Sequence, residues 1–213
     1  MTTSQQQPRP GASPGSALAE YRRFAARAVR EPGLVGAVAP SSPFLAREMA
    51  AVVPSRTAAP VVVELGPGTG ALSRAVHERL PEGGRHLAIE IDPGMIEHLR
   101  ADLPWLEVVR GDASRLGALL AEAGVSSVDA VVSGLPWSIF SGELQRDILT
   151  EVGKALAPGG AFTTFAYVHA LGMSGAQTFR RRLDGAFDEV LTSRTVWRNV
   201  PPARVYTCRR PKA

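Results

Sequence analysis

The chain has 213 residues and a mass of 22.6 kDa; 45% of the residues are hydrophobic, 21% are charged, and the formal net charge is +4. These values are typical of one globular domain with a short extension, and they exclude two full domains. A single cysteine, Cys208, excludes a disulfide framework and a multi-cysteine metal site, and no apolar run reaches the roughly 20 residues that cross a bilayer. With no apolar stretch of a secretory signal near the start, we expect a cytoplasmic protein that binds no metal.

The N-terminal quarter predicts a tail and a helical cap. Residues 1–16, rich in Pro, Gly, Ser and Gln, predict a disordered tail, and residues 17–52 predict two helices, over 17–30 and 43–52. In the first helix an apolar face that includes Tyr21 lies opposite several arginines, as in helices that lie on anionic membranes. The same pattern fits a helix that packs on a sheet, and both interpretations stay open.

Residues 53–213 predict one α/β domain in which strands and helices alternate. The predicted strands are 61–65, 86–91, 106–110, 128–133 and 161–167, and the predicted helices are 69–80, 93–101, 114–123, 142–156 and 176–183. Two last strands, 187–196 and 203–208, have no helix between them and should form an antiparallel hairpin at one edge. The expected fold is Rossmann-like, with a seven-stranded, mostly parallel sheet.

A glycine-rich loop follows the first strand of this domain. The loop ELGPGTG supplies six predicted cofactor-binding residues: Glu64, Gly66, Pro67, Gly68, Thr69 and Gly70. Gly66, Gly68 and Ala71 also match the dinucleotide fingerprint G-x-G-x-x-G/A. A carboxylate beside the turn, at Glu64, would repel a pyrophosphate and suit a cationic ligand such as the sulfonium and ammonium of S-adenosylmethionine.

Acidic residues also end the next two strands. Glu90 is placed to accept both ribose hydroxyls and Asp112 the adenine amino group, because the carboxyl ends of parallel strands line one crevice. The other predicted cofactor-binding residues are Ile91, Gly111 and Ala113 at these two strand ends, and Ser133 and Gly134 at the end of the fourth strand.

Through ELGPGTG, AIEID (88–92), GDA (111–113) and SGLPW (133–137), residues 61–167 resemble the class I S-adenosylmethionine-dependent methyltransferases. This resemblance implies S-adenosyl-L-methionine as cofactor and S-adenosyl-L-homocysteine as product. SGLPW looks like the N-x-P-[YFW] loop of enzymes that dimethylate adenine in ribosomal RNA, with Gly134 at the Asn position. Leu135 and Trp137 of this loop, with Tyr167 after the fifth strand, are the predicted catalytic residues.

A closer resemblance, from about residue 18 to the C-terminus, is to the bacterial phospholipid N-methyltransferases. It rests on GAVAPSSPFLAREMA (36–50), FAY (165–167) and VWRNVPPARVYTCRR (196–210), in addition to ELGPGTG and SGLPW. It implies methylation of the amine of phosphatidylethanolamine at the membrane surface, with Ser42 at the cofactor and Tyr21, Arg198 and Asn199 at the substrate.

The charge distribution indicates an anionic partner. Residues 1–47 carry six basic and two acidic residues and residues 180–213 carry nine and three, whereas residues 48–179 carry nine and fifteen. Charge alone leaves nucleic acid and an acidic membrane surface open as this partner. The resemblance to the phospholipid N-methyltransferases implies an anionic membrane surface and a phospholipid substrate, with peripheral membrane association and no DNA partner, and it makes RNA the less favoured partner. Two alternatives stay open: methylation of a soluble metabolite, and methylation of adenine N6 in ribosomal RNA.

Overall fold

The computed structural model describes residues 41–212. The predicted tail, the predicted helix over 17–30 and Tyr21 lie outside these residues. Seven strands and six α-helices follow one another in the described part, joined by turns that include short 3-10 segments. The helices are α1 (Pro43–Met49), α2 (Ala71–His77), α3 (Pro93–Asp102), α4 (Leu116–Glu122), α5 (Gly142–Ala155) and α6 (Ser174–Ala186). The strands are β1 (Val61–Leu65), β2 (Arg85–Glu90), β3 (Glu107–Arg110), β4 (Val128–Ser133), β5 (Leu156–Tyr167), β6 (Phe187–Thr192) and β7 (Ala203–Pro211).

The strands form one sheet in the order β3-β2-β1-β4-β5-β7-β6. Strands β1 to β5 are parallel, and β7 runs antiparallel between β5 and β6. This arrangement confirms the predicted seven-stranded Rossmann-like fold with an antiparallel closing pair. The order reverses beside β1, so the carboxyl ends of β1 and β4 flank the switch point where open α/β sheets bind ligands.

The two largest differences from the predicted strand boundaries are at the start of β5 and at the end of β6. β5 begins at Leu156 because its pairing with β4 shifts register between Val128 and Ala130, and residues 157–160 fill the irregular stretch. β6 ends at Thr192 instead of continuing to 196. There Val205 N donates a hydrogen bond to the hydroxyl of Ser193 at 3.0 Å. This hydroxyl takes the place of the backbone carbonyl that would accept the bond in a regular strand pair, and the chain leaves the sheet.

Both faces of the sheet are covered, as the nearly continuous apolar strands predict. Helices α1, α2 and α3 pack on one face and α4, α5 and α6 on the other. Along β1, Val62 faces the first layer, whereas Val63 and Leu65 face the second. In residues 41–212 no helix is both long and apolar enough to cross a membrane.

Cys208 offers a test of this packing. Its side chain is fully buried in β7, and burial raises the pKa of the thiol to about 12. Because the thiolate is the reactive form, we expect no reaction with a disulfide reagent at about pH 8 until the chain unfolds. The same measurement in denaturing guanidinium chloride is the control, and rapid labelling of the native chain would contradict this placement.

Candidate functional site

The glycine loop makes a tight turn between β1 and α2. Gly66 N donates to Ile89 O at 3.1 Å, which ties the turn to the end of β2. Gly66 and Gly68 have φ values of 68° and 55°, in the left-handed region that favours glycine. A Cβ on Gly68 would meet no atom within 4 Å, so a ligand can approach this backbone closely.

A cavity opens beside this loop, above the ends of β1, β2 and β3. Its lining consists of Gly66, Ile89, Glu90, Ile91, Gly111, Asp112, Ala113, Leu135, Phe140, Leu144 and Ile148. Seven of the residues predicted from sequence to touch the cofactor or the acceptor therefore line one space.

The two carboxylates in the cavity are fixed by backbone amides. Glu90 is buried, and its Oε1 accepts hydrogen bonds from Ile91 N at 2.8 Å and Asp92 N at 2.9 Å. Asp112 Oδ1 accepts from Ser114 N and from the Ser114 hydroxyl, each at 2.9 Å. Asp112 Oδ2 has no hydrogen-bond partner within residues 41–212 and is open to a ligand donor.

Glu64 does not line this cavity. Since side chains alternate along a strand, Glu64 shares with Val62 the face that α2 covers. Its Oε2 accepts from the hydroxyl of Ser73 at 2.7 Å and lies 3.1 Å from His86 Nε2, and it is not among the residues that line the cavity. The contact of Glu64 with a cationic ligand stays a prediction, and the observed bonds place this carboxylate beneath the glycine loop.

The SGLPW loop packs directly on the glycine loop. Gly134 N donates to Leu65 O at 2.9 Å, and a Cβ on Gly134 would lie 2.7 Å from Gly66 O. The side chain of Leu135 covers Gly66 and forms one wall of the cavity. Gly134 therefore allows two backbones to meet, which explains why a glycine occupies this position.

Trp137 is part of the core. The indole is 2% exposed and stacks on Phe179 at 4.5 Å between ring centroids, and its Nε1 donates to the hydroxyl of Ser133 at 3.1 Å. Gln145 holds the next turn, because its Nε2 donates to Trp137 O at 2.6 Å. Direct contact between this ring and an acceptor, as predicted from sequence, would require the indole to leave this packing.

Tyr167 ends β5 at the same edge of the sheet. Its ring lies parallel to the ring of His169, with centroids 5.6 Å apart, and meets Phe165 edge-on. Burial raises the pKa of the Tyr167 hydroxyl above its usual value near 10. The hydroxyl is therefore protonated at neutral pH and serves as a hydrogen-bond donor.

The VWRN segment lies against the start of α1. Asn199 is 2% exposed; its Oδ1 accepts from Ser42 N at 2.8 Å, and its Nδ2 donates to Pro201 O at 2.7 Å. The Ser42 hydroxyl caps α1 by accepting from Leu45 N. These contacts hold the segment in place, while the guanidinium of Arg198 lies exposed over the ring of Phe44.

Sequence reasoning missed the apolar wall of the cavity. Phe140, Leu144 and Ile148 come from α5 and the turn before it, and they carry no polar signal that would mark them as ligand contacts. Their spacing along the apolar face of α5 was the available sign. Within the part of the chain that the structure describes, no cluster of His, Cys, Asp and Glu could hold a metal ion.

Comparisons with known proteins agree with this geometry. Residues 62–160 match the family described as a methyltransferase domain. The ornithine lipid N-methyltransferase of Singulisphaera acidiphila is 39% identical over 181 residues, which cover 82% of this chain and 88% of that protein. The chain belongs to the S-adenosylmethionine-dependent methyltransferases.

Two further relatives of this methyltransferase are informative. The ribosomal RNA small subunit methyltransferase A of Chlorobaculum parvum is 36% identical over 86 residues, which cover 40% of this chain and 30% of that protein. The crystal structure of human methyltransferase-like protein 13 in complex with SAH aligns with a TM-score of 0.57 at 18% identity, over 78% of this chain and 80% of that one. At this identity the second similarity concerns the fold alone.

The residues of the cavity fit the cofactor of this enzyme family. Asp112 Oδ2 is an open acceptor, and the bare backbone at Gly68 admits close approach. Phe140 and Leu144 form an apolar wall against which an adenine ring can pack. The methyltransferase thus has polar and apolar groups suited to S-adenosyl-L-methionine, and the lining contains no basic residue that would point to a pyrophosphate.

The contact between the two loops gives a test. Replacing Gly134 with Ala adds a Cβ about 2.7 Å from a carbonyl oxygen, so we expect a loss of about 1–3 kcal/mol in the free energy of unfolding and weaker binding of S-adenosyl-L-homocysteine. Urea denaturation and calorimetry measure the two effects. Gly172→Ala, where a Cβ would meet nothing within 4 Å, is the matched control. Equal behaviour of the two variants would contradict the loop contact.

Proposed function

We propose that this methyltransferase transfers a methyl group from S-adenosyl-L-methionine to the amine of a membrane-lipid head group, and that the lipid is phosphatidylethanolamine. The observation that carries the lipid acceptor is the similarity, over 88% of its length, to a protein named as an ornithine lipid N-methyltransferase. The resemblance of VWRNVPPARVYTCRR to the phospholipid N-methyltransferases supports phosphatidylethanolamine. Both lipids present an amine at the head group.

The proposed cofactor contacts follow the cavity lining. Glu90, held by the amides of Ile91 and Asp92, binds the ribose hydroxyls, and Asp112 Oδ2 accepts a hydrogen bond from the adenine amino group. When bound, the cofactor would supply a methyl group on a positively charged sulfur. An amine lone pair would form the new N–C bond as the C–S bond breaks, with S-adenosyl-L-homocysteine as the leaving group. The chain contributes mainly by aligning the amine and excluding water.

The acceptor must reach the carboxyl edge of the sheet with its nitrogen deprotonated. The loop of Gly134 and Leu135 borders the cavity there, and Tyr167 ends the adjacent strand. Because the Tyr167 hydroxyl is protonated at neutral pH, it does not take the proton from the amine. We assign that proton to water, and we assign Tyr167 the role of a donor that orients the head group.

The exposed guanidinium of Arg198 is a suitable cation for the phosphate of the lipid. Arg198 is exposed and next to the segment that Asn199 fixes, so its guanidinium can make charge-assisted hydrogen bonds to a phosphate. Asn199 was predicted as a second substrate ligand. The hydrogen bonds of its side-chain amide with Ser42 N and Pro201 O support the role of holding Arg198 in position.

Ribosomal RNA is a second candidate acceptor, favoured by the 36% identity to a ribosomal RNA methyltransferase. That match covers 40% of this chain. At the acceptor loop, Gly134 provides no side-chain amide to bind a nucleobase, and the ring of Trp137 is packed against Phe179. These two features favour the lipid.

The acceptor can be identified directly. With methyl-labelled donor, we expect label in vesicles that contain phosphatidylethanolamine and none in phosphatidylcholine vesicles, ribosomal RNA or a soluble metabolite extract. Ornithine lipid is assayed in parallel, and labelling of that lipid alone would replace phosphatidylethanolamine as the acceptor. Label only in RNA or in the metabolite extract would refute a lipid acceptor.

The adenine contact is tested by a pair of carboxylate variants. Asp112→Asn removes an acceptor oxygen, and we expect about 3–10-fold weaker binding of S-adenosyl-L-homocysteine in calorimetry. Asp147→Asn, an exposed carboxylate on α5, should bind as the unaltered chain does. Equal affinities for all three chains would contradict the role of Asp112.

The role of Tyr167 is tested by the pH dependence of the rate. Because burial raises the pKa of the hydroxyl above its usual value, Tyr167→Phe should lower kcat by about 3–10-fold at every pH from about 6 to 9 and leave the shape of the profile unchanged. His169→Gln, which alters the exposed neighbouring ring, is the control. Loss of an ionisation from the Tyr167→Phe profile would show that Tyr167 is the base.

A further inference from the structure

The segment between β6 and β7 exposes large apolar side chains. Trp197 is 74% exposed and Val200 is 77% exposed, the two highest values among the exposed large hydrophobic residues of the described chain. Exposed apolar groups of this size, three positions apart in one loop, indicate an interaction surface. We call residues 193–202 the wedge loop.

The wedge loop is held in place by hydrogen bonds. Asn199, between the two exposed residues in sequence, is buried and bonded to Ser42 N and Pro201 O. Val168 N donates to Pro202 O at 2.8 Å, and Val196 pairs with Ala203. The exposure of Trp197 and Val200 therefore belongs to a fixed backbone that points them outward.

The charges around the wedge loop are of one sign. From residue 190 to residue 208 the sequence contains three basic residues and no acidic one. Arg194 and Arg198 in the loop and Arg204 just after it are exposed, and none of them forms an ion pair within residues 41–212. An apolar tip surrounded by unpaired arginines is complementary to an anionic lipid surface, where each basic residue adds attraction.

The wedge loop lies at the edge of the sheet where the cavity opens. β7 begins opposite Tyr167, so the loop before it lies at the carboxyl end of β5. Phe44, which is 45% exposed and in contact with Arg198, adds a third apolar group there. A membrane on this surface would bring lipid head groups to the same edge as the cavity.

We propose that the wedge loop docks on an anionic bilayer, with Trp197 and Val200 inserted at the boundary between head groups and acyl chains. The inference rests on the proposed lipid acceptor, and it adds a membrane contact that is independent of the predicted helix over 17–30. We choose a lipid surface as the partner because the loop combines exposed apolar side chains with arginines. It also lies at the end of the sheet where a lipid substrate would enter the cavity.

Fluorescence quenching tests the insertion of Trp197. The chain has three tryptophans. Trp137 is buried, and Trp105 precedes β3, which is the outermost strand on the side of the sheet away from β7. Vesicles of equal parts phosphatidylcholine and phosphatidylglycerol with brominated acyl chains should quench the full chain and Trp105→Phe. They should not quench Trp197→Phe, which keeps the other two indoles.

Vesicle sedimentation adds a second measurement. Trp197→Ser should lower the partition coefficient onto the same vesicles by about tenfold, whereas Trp105→Ser should leave it unchanged. Quenching that persists in Trp197→Phe, or partitioning that is equal in the two serine variants, would overturn the wedge. Tight binding of the full chain without quenching of Trp197 would overturn it as well.

A detergent assay separates this proposal from the proposed function. With the amine lipid dispersed in mixed micelles, Trp197→Ser should methylate at the rate of the unaltered chain, since no bilayer needs to be entered. Absence of methylation for every chain in micelles would refute the lipid acceptor and leave the quenching result valid. A loss of activity specific to Trp197→Ser in micelles would make Trp197 a substrate contact and overturn its role as a wedge.

Discussion

Two loops meet backbone to backbone at the carboxyl edge of the sheet, and the cavity depends on this contact. Gly134 donates to Leu65 O and lies so close to Gly66 O that a Cβ would come within 2.7 Å. This approach places Leu135 over the glycine loop as one wall of the cavity beside it. A longer side chain at position 134 could contact an acceptor, but it would force the two loops apart. The close contact of the loops therefore explains the glycine.

Much of this architecture could be predicted from sequence because it depends on local patterns. The apolar runs of β1 and β4 have the predicted bounds, and Glu90 and Asp112 line one cavity because parallel strands bring their carboxyl ends together. Glu64 shows where such reasoning stops. Its position next to the glycine loop was correct, but side-chain alternation along β1 turns it toward Ser73 and His86.

Tertiary packing decides the features that sequence could not settle. Trp137 resembles a stacking residue in sequence, yet Phe179 of α6 covers its ring, and no local pattern predicts that contact. Asn199 resembles a phosphate ligand, yet its amide joins α1 to the wedge loop across 157 positions. In both cases the observed contacts are made within the protein, and direct contact with a ligand stays a prediction.

The central claim is that the cofactor binds between the glycine loop and the ends of β2 and β3. Hydrogen exchange of the full chain with and without S-adenosyl-L-homocysteine tests it most directly. The account predicts that the ligand slows amide exchange at residues 66–70, 90–92 and 111–114. Tight binding with protection confined to other segments, such as α6, would contradict it.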